Sequence, residues 1–82
     1  MNEAVDYGHF VMKIEECLRG KGISKNTLVE QASLRRTQLN NYCKNNIKRP
    51  DFDVLARICY ALDCELVDIV RCVKPVNHRE ER

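Results

Sequence analysis

Apolar residues recur at helical spacing in five stretches of this chain, separated by polar, glycine or proline breaks. Phe10, Val11, Ile14, Cys17 and Leu18 form one stripe, with Lys13, Glu15, Glu16 and Arg19 on the other face. This predicts a helix over about Tyr7–Arg19, stopped by Gly20 or Gly22. Leu28, Val29 and Ala32 predict a second helix over about Lys25–Ala32. Ser24 is its natural cap, because a hydroxyl there can accept from the exposed first-turn amides. So short a helix does not persist alone, and packing must hold it. Leu39, Tyr42 and Cys43 predict a third helix over about Arg36–Lys44, with Leu34 plugging the turn before it. Phe52, Val54, Leu55, Ile58, Cys59, Ala61 and Leu62 make the fourth helix the most apolar, begun by Asp51 or Asp53 after Pro50. Leu66, Ile69, Val70 and Val73 predict a fifth over about Leu66–Val73, and Pro75 closes the fold. The expected architecture is an all-α five-helix bundle over residues 7–73, with frayed tails at 1–6 and 74–82.

Charge changes the picture by its placement. The formal total is only +2. Yet Arg19, Lys21, Lys25, Arg35, Arg36, Lys44, Lys48 and Arg49 face a single acid, Glu30, between Arg19 and Pro50. The segments on either side are net acidic. Such segregation costs self-repulsion and suits a polyanion. On the third helix the outward positions Arg36, Thr37, Gln38, Asn40, Asn41 and Lys44 include no acid. A solvated helix face usually mixes both signs, whereas donor-rich Arg, Gln and Asn suit phosphates and base edges.

Composition limits the alternatives. At 82 residues, with 44% hydrophobic and 32% charged residues, the chain reads as one small soluble domain. No apolar run approaches a membrane span, and the polar, acidic start Met1–Gly8 does not resemble a signal peptide. The expected location is the cytoplasm. Five cysteines (Cys17, Cys43, Cys59, Cys64, Cys72) cannot pair completely and contain no Cys-x-x-Cys. Four fall on apolar positions and read as small reduced core residues, with no zinc and no disulfide. His9 and His78 have no ligand cluster around them. No glycine-rich phosphate loop, metal spacing or nucleophile–base pair is present, so neither enzymatic activity nor a cofactor is expected. Ser24 reads as a cap, Tyr42 as core and Tyr60 as a half-buried packing residue.

Two short helices joined by three or four residues match the helix-turn-helix unit, whose second helix enters a major groove about 12 Å wide. Beyond that unit, Leu28, Ala32, Leu34, Leu39 and Tyr42 are followed by Lys48-Arg49-Pro50-x-Phe52. Then come Leu55-x-x-Ile58-x-x-Ala61-Leu62-x-Cys64 and Leu66-Val67-Asp68-Ile69. In this order and spacing, Ile23–Val70 resembles the helix-turn-helix domain of the Cro and cI phage repressors and the Xre-like bacterial regulators. The resemblance implies a lambda-repressor-like bundle that binds double-stranded DNA. It implies that Lys25 touches phosphate and that Arg36, Thr37 and Asn41 meet base edges, with Gln38 and Arg35 completing that set. Lys44, Lys48 and Arg49 would approach the sugar-phosphate backbone, joined by Asn26 and Asn40. The chain departs from the family pattern at Ser33, where Gly is usual, at Arg35, where a Ser or Thr cap is usual, and at Lys25, where Gln is usual.

The expected function is a sequence-specific transcriptional regulator, most simply a repressor acting by occupancy. A homodimer would read two half-sites, with Val67, Val70 and Val73 of the fifth helix as its interface. The alternative is a protein-interaction module such as the antitoxin of a toxin–antitoxin pair. An RNA binder is disfavoured, because the pattern is read as lacking the exposed aromatics that single strands need for stacking.

Overall fold

The computed structural model describes residues 6–75. Their order is β1 (His9–Met12), α1 (Ile14–Lys21), α2 (Lys25–Ala32), α3 (Arg36–Cys43), α4 (Phe52–Leu62), α5 (Leu66–Ile69) and β2 (Val70–Val73). The expected tails, 1–6 and 74–82, lie outside the described residues except at Asp6, Lys74 and Pro75.

The first four helices end on one device. Gly22, Ser33, Asn45 and Asp63 each take a left-handed conformation, with φ of 68°, 56°, 63° and 52°. The next amide then reaches back five residues to a helix carbonyl. Ile23 donates to Leu18, Leu34 to Val29, Asn46 to Asn41 and Cys64 to Cys59, all at 2.9–3.0 Å. These bonds satisfy carbonyls that a helix terminus otherwise leaves unpaired. The motif also asks for an apolar residue after the left-handed one. Ile23, Leu34 and Cys64 supply it and pack against the core. Leu34 therefore plugs the turn as its pattern predicts, and Ser33 takes the left-handed position without being glycine.

The core gathers the predicted stripes. Ile14, Leu18, Leu28, Ala32, Leu39, Tyr42, Val54, Leu55, Ile58, Leu62 and Ile69 are buried, and no polar or charged residue is buried with them among the described residues. α2 packs on α4 and α3, and α1 packs on α5 and α3. Cys17, Cys59 and Cys64 meet at the margin of this core, where burial raises the Cys59 thiol and pushes Cys64 up to about 12. All five cysteines are free thiols, and Cys72 alone among them is exposed.

Three expectations need correction. The first helix does not run from Tyr7, and the fifth does not reach Val73. Instead β1 and β2 pair antiparallel in the register His9↔Val73, Phe10↔Cys72, Val11↔Arg71, Met12↔Val70. The bundle stands, with a small two-stranded sheet joining the two ends of the described chain. Phe10 and Val11 of β1 and Val70 and Val73 of β2 are residues that favour strands, and each segment finds its partner only across the fold. Gly8 turns the chain into β1 with φ 88°, and a Cβ there would collide with the Val73 carbonyl. At Val70 the backbone leaves the helix for φ −134°, ψ 138°, so Val67, Val70 and Val73 do not share a helical face. The third correction concerns burial. Phe10, Phe52 and Tyr60, read as packing residues, are 69%, 79% and 87% exposed.

Candidate nucleic-acid interface

The helix-turn-helix of α2 and α3 is held from three sides. Ser24 caps α2, its Oγ accepting from the Thr27 amide at 3.1 Å. Behind the turn, Arg57 of α4 donates to the Ser33 carbonyl at 3.2 Å while pairing with Asp53 at 3.1 Å. Beyond α3, the Tyr42 hydroxyl accepts from the Asp51 amide at 2.9 Å and ties the loop over residues 44–51 back to α3. Tyr42 is thus core, as predicted, but its hydroxyl has a second task. Asp51 in turn caps α4 by accepting from Asp53 at 2.8 Å. Asn45 accepts from the Met12 amide at 2.6 Å and fastens the end of α3 to β1. Asn45, Arg57 and the Tyr42 hydroxyl were not legible as positioning groups. The available hints were an Asn pair, Asn45-Asn46, suited to left-handed backbone, and a lone cation on an apolar helix.

The predicted base-contacting residues divide into two groups. Arg35, Thr37, Gln38 and Asn41 line one shallow concave surface of about 380 Å³ on the outer side of α3. Arg36 turns toward α2, where its guanidinium donates to Asn26 Oδ1 at 2.5 Å. Arg35 precedes α3 with extended backbone and makes no capping bond, as its side chain requires.

The predicted phosphate residues also divide. Lys25 donates to Asn40 Oδ1 at 3.3 Å and pairs with Glu15 at 2.8 Å. One cation therefore links α1, α2 and α3. Its hydrogen bond and charge hold the Glu15 carboxyl below its ordinary pKa. Glu15 thus sits beside the cationic surface, a placement the sequence pattern did not reveal. Lys44, Lys48 and Arg49 are exposed in the loop after α3. Among the described residues the ion pairs are Lys25–Glu15 and Arg57–Asp53. Arg35, Arg36, Lys44, Lys48 and Arg49 have no carboxylate partner there. A surface with five unpaired cations, open amide donors and no acid on α3 is chemically suited to a phosphate backbone and adjoining base edges.

The described residues contain no cluster of three or more potential metal ligands, and no described helix is long and apolar enough to cross a membrane. Comparison with known proteins converges on the same region. No curated protein sequence matches the chain. Among solved structures, a candidate DNA-binding protein from Bacteroides fragilis aligns with a TM-score of 0.66 at 19% identity, over 76% of this chain and 98% of its own. A structure of the SinR protein/SinI protein complex aligns with a TM-score of 0.61 at 24% identity, over 67% of this chain and 53% of that one. At such identities the likeness establishes the fold. The family model of the Cro/C1-type helix-turn-helix DNA-binding domain matches residues 13–75, and the chain belongs to that family.

Proposed function

We propose that the protein is a sequence-specific regulator of transcription that represses by occupying its operator as a homodimer. The observation behind this reading is the outer side of α3. It combines an acid-free surface, four residues with hydrogen-bonding capacity in one concavity, and cations without carboxylate partners. With α3 in the major groove, Thr37, Gln38, Asn41 and Arg35 face base edges. Gln38 and Asn41 can each pair bidentately with adenine, Arg35 with guanine, and the Thr37 methyl can meet thymine. Asn26 fixes one donor of Arg36, leaving its remaining N–H groups to span base edge and phosphate at the groove margin. Lys25, Asn26 and Asn40 would meet the backbone on one side, and Lys44, Lys48 and Arg49 on the other. These phosphate contacts set register, and base contacts set sequence.

Selection of bound sequences from a random DNA pool tests the reading, with an enriched twofold site as the expected result. Against that site, Gln38→Ala and Arg36→Ala should each cost about 1–3 kcal/mol of discrimination. Lys48→Ala should weaken specific and random DNA alike and lower the salt slope by about one counterion. Failure to enrich any sequence would remove sequence-specific regulation. Equal losses for all three variants would remove α3 as the reading element.

A further inference from the structure

Of the phenylalanine and tyrosine rings in this chain, only that of Tyr42 lies in the core. Tyr7, Phe10, Phe52 and Tyr60 are all exposed. Packing alone gives no reason to bury a ring that carries a hydroxyl, because a buried hydroxyl costs free energy unless it is bonded. Here it is bonded. Tyr42 is 4% exposed, and its hydroxyl accepts from the Asp51 amide at 2.9 Å. That amide belongs to the cap of α4, whose side chain accepts from Asp53 at 2.8 Å. One bond from the last turn of α3 thus fixes the point where the loop over residues 44–51 enters α4.

The start of the loop is fixed as well. Asn45 has left-handed backbone, φ 63°. The Asn46 amide then reaches the Asn41 carbonyl at 3.0 Å. The Asn45 side chain accepts from Met12 at 2.6 Å, and Ile47 packs against the core. Between Ile47 and Asp51 stand only Lys48, Arg49 and Pro50, all exposed. The Pro50 ring sets its own φ, and Arg49 before it is confined to extended backbone. Two cations with no carboxylate partner among the described residues are therefore held on a short, stiff span anchored at both ends. A loop ordered before binding has less freedom to lose on binding, so anchoring raises affinity without adding a contact. Phosphate contacts carry no sequence information, so that gain is the same for every duplex.

We propose that the Tyr42 hydroxyl is a positioning group for phosphate binding. It holds the Lys48-Arg49-Pro50 span to α3, and it sets affinity for DNA of any sequence without setting which sequence is read. The proposal rests on the DNA-binding reading above and adds to it a buried residue that acts only through its neighbours.

Tyr42→Phe removes the hydroxyl and keeps the ring, so the variant should retain the wild-type circular dichroism. Its affinity for a selected operator and for random duplex should fall by the same factor, about three- to tenfold, the order that one neutral hydrogen bond is worth. The salt slope should fall with it, by up to about two counterions, one for each cation released. A hydroxyl that served stability alone would lower the unfolding midpoint and leave the salt slope of the folded protein where it was. The decisive arm is a double-mutant cycle: in a Lys48→Ala/Arg49→Ala background, Tyr42→Phe should cause no further loss. Without DNA, hydrogen exchange at the Asp51 amide should accelerate in Tyr42→Phe. Unchanged affinity and salt slope, a loss confined to the operator, an undiminished loss in the double-alanine background, or unchanged Asp51 exchange would each overturn the proposal. A wild type that binds random duplex but enriches no operator would strike sequence-specific regulation, and the proposal is then decided on random duplex. A wild type that binds no duplex would strike the DNA-binding reading and this proposal together, an outcome visible before any variant is made.

Discussion

α2 and α3 are two helices of 8 residues each, and each buries two side chains in the same core. Their surfaces are nevertheless built differently. α2 has a Ser24 cap with its bond made, a Lys25 held by Glu15 and Asn40, and an acid, Glu30, on its outward side. α3 has no capping bond, no acid in its first turn and, among the described residues, no partnered charge except through Asn26. A helix chosen for its own stability would take the cap and mix its charges. α3 forgoes both and leaves donors and cations facing water. The difference separates two kinds of helix: α2 is stabilised locally, and α3 is stabilised by what it packs against.

The strongest way to break this comparison is to remove the packing of α3. Leu39 is fully buried, so Leu39→Ala should cost about 2–5 kcal/mol by denaturant unfolding. A loss below 1 kcal/mol would mean that α3 does not depend on the core. Next come the caps. Ser24→Ala should cost about 1 kcal/mol and Arg35→Ala almost nothing, because only Ser24 makes a capping bond. Arg35→Ser should then stabilise the fold by about 0.5–1 kcal/mol while weakening DNA binding. A gain in both properties would show that Arg35 has no role at the DNA.

Ser33 sharpens the comparison on a smaller scale. Left-handed backbone costs a residue with a Cβ roughly 1–2 kcal/mol, and glycine carries an entropic cost of about 0.5–1 kcal/mol. Strain exceeds entropy, so Ser33→Gly should stabilise by about 0.5 kcal/mol, read as a higher unfolding midpoint with unchanged slope. An unchanged or lower midpoint would place the strain elsewhere.

The smallest effect concerns Glu15. Its folded pKa is lowered, mainly by the hydrogen bond from Lys25 and then by the charge of that residue. Its contribution is therefore present above the ordinary carboxyl pKa of the unfolded chain and is lost as pH falls through the folded value. Glu15→Gln should flatten that acid-side loss. It should also free Lys25 and raise affinity for DNA of any sequence, with a steeper salt slope. Weaker binding in this variant would mean that Glu15 positions Lys25 for the phosphate rather than competing with it.

Most of the helical part of the fold was legible along the chain. The stripes of α2, α3 and α4, the cap Ser24 and the start of α4 at Asp51 or Asp53 are set within about one helical turn of sequence. Local pattern reads them because the groups that satisfy one another are neighbours. The acid-free outer side of α3 was legible for the same reason: absence of Asp and Glu is a property of one short segment. Division of that surface was not. Whether Arg36 joins Thr37, Gln38 and Asn41 or turns to Asn26 depends on how α2 crosses α3, and residue spacing does not contain that angle.

The ends of the described chain show the limit most clearly. Phe10, Val11 and Ile14 fit a helical stripe as well as they fit a strand, and so do Val70 and Val73. Taken alone, each four-residue segment is too short for either periodicity to decide. Bringing β1 beside β2, with Gly8 against the Val73 carbonyl, decides it, because the strand hydrogen bonds exist only when the partner is present. The sequence by itself determined α2, α3 and α4 and the cationic segment between Arg19 and Pro50, since these rest on local hydrogen bonding and composition. Tertiary structure alone decided the sheet, the exposure of Phe10 and Phe52 and the apolar face they share, since these rest on how residues some forty to sixty positions apart come together.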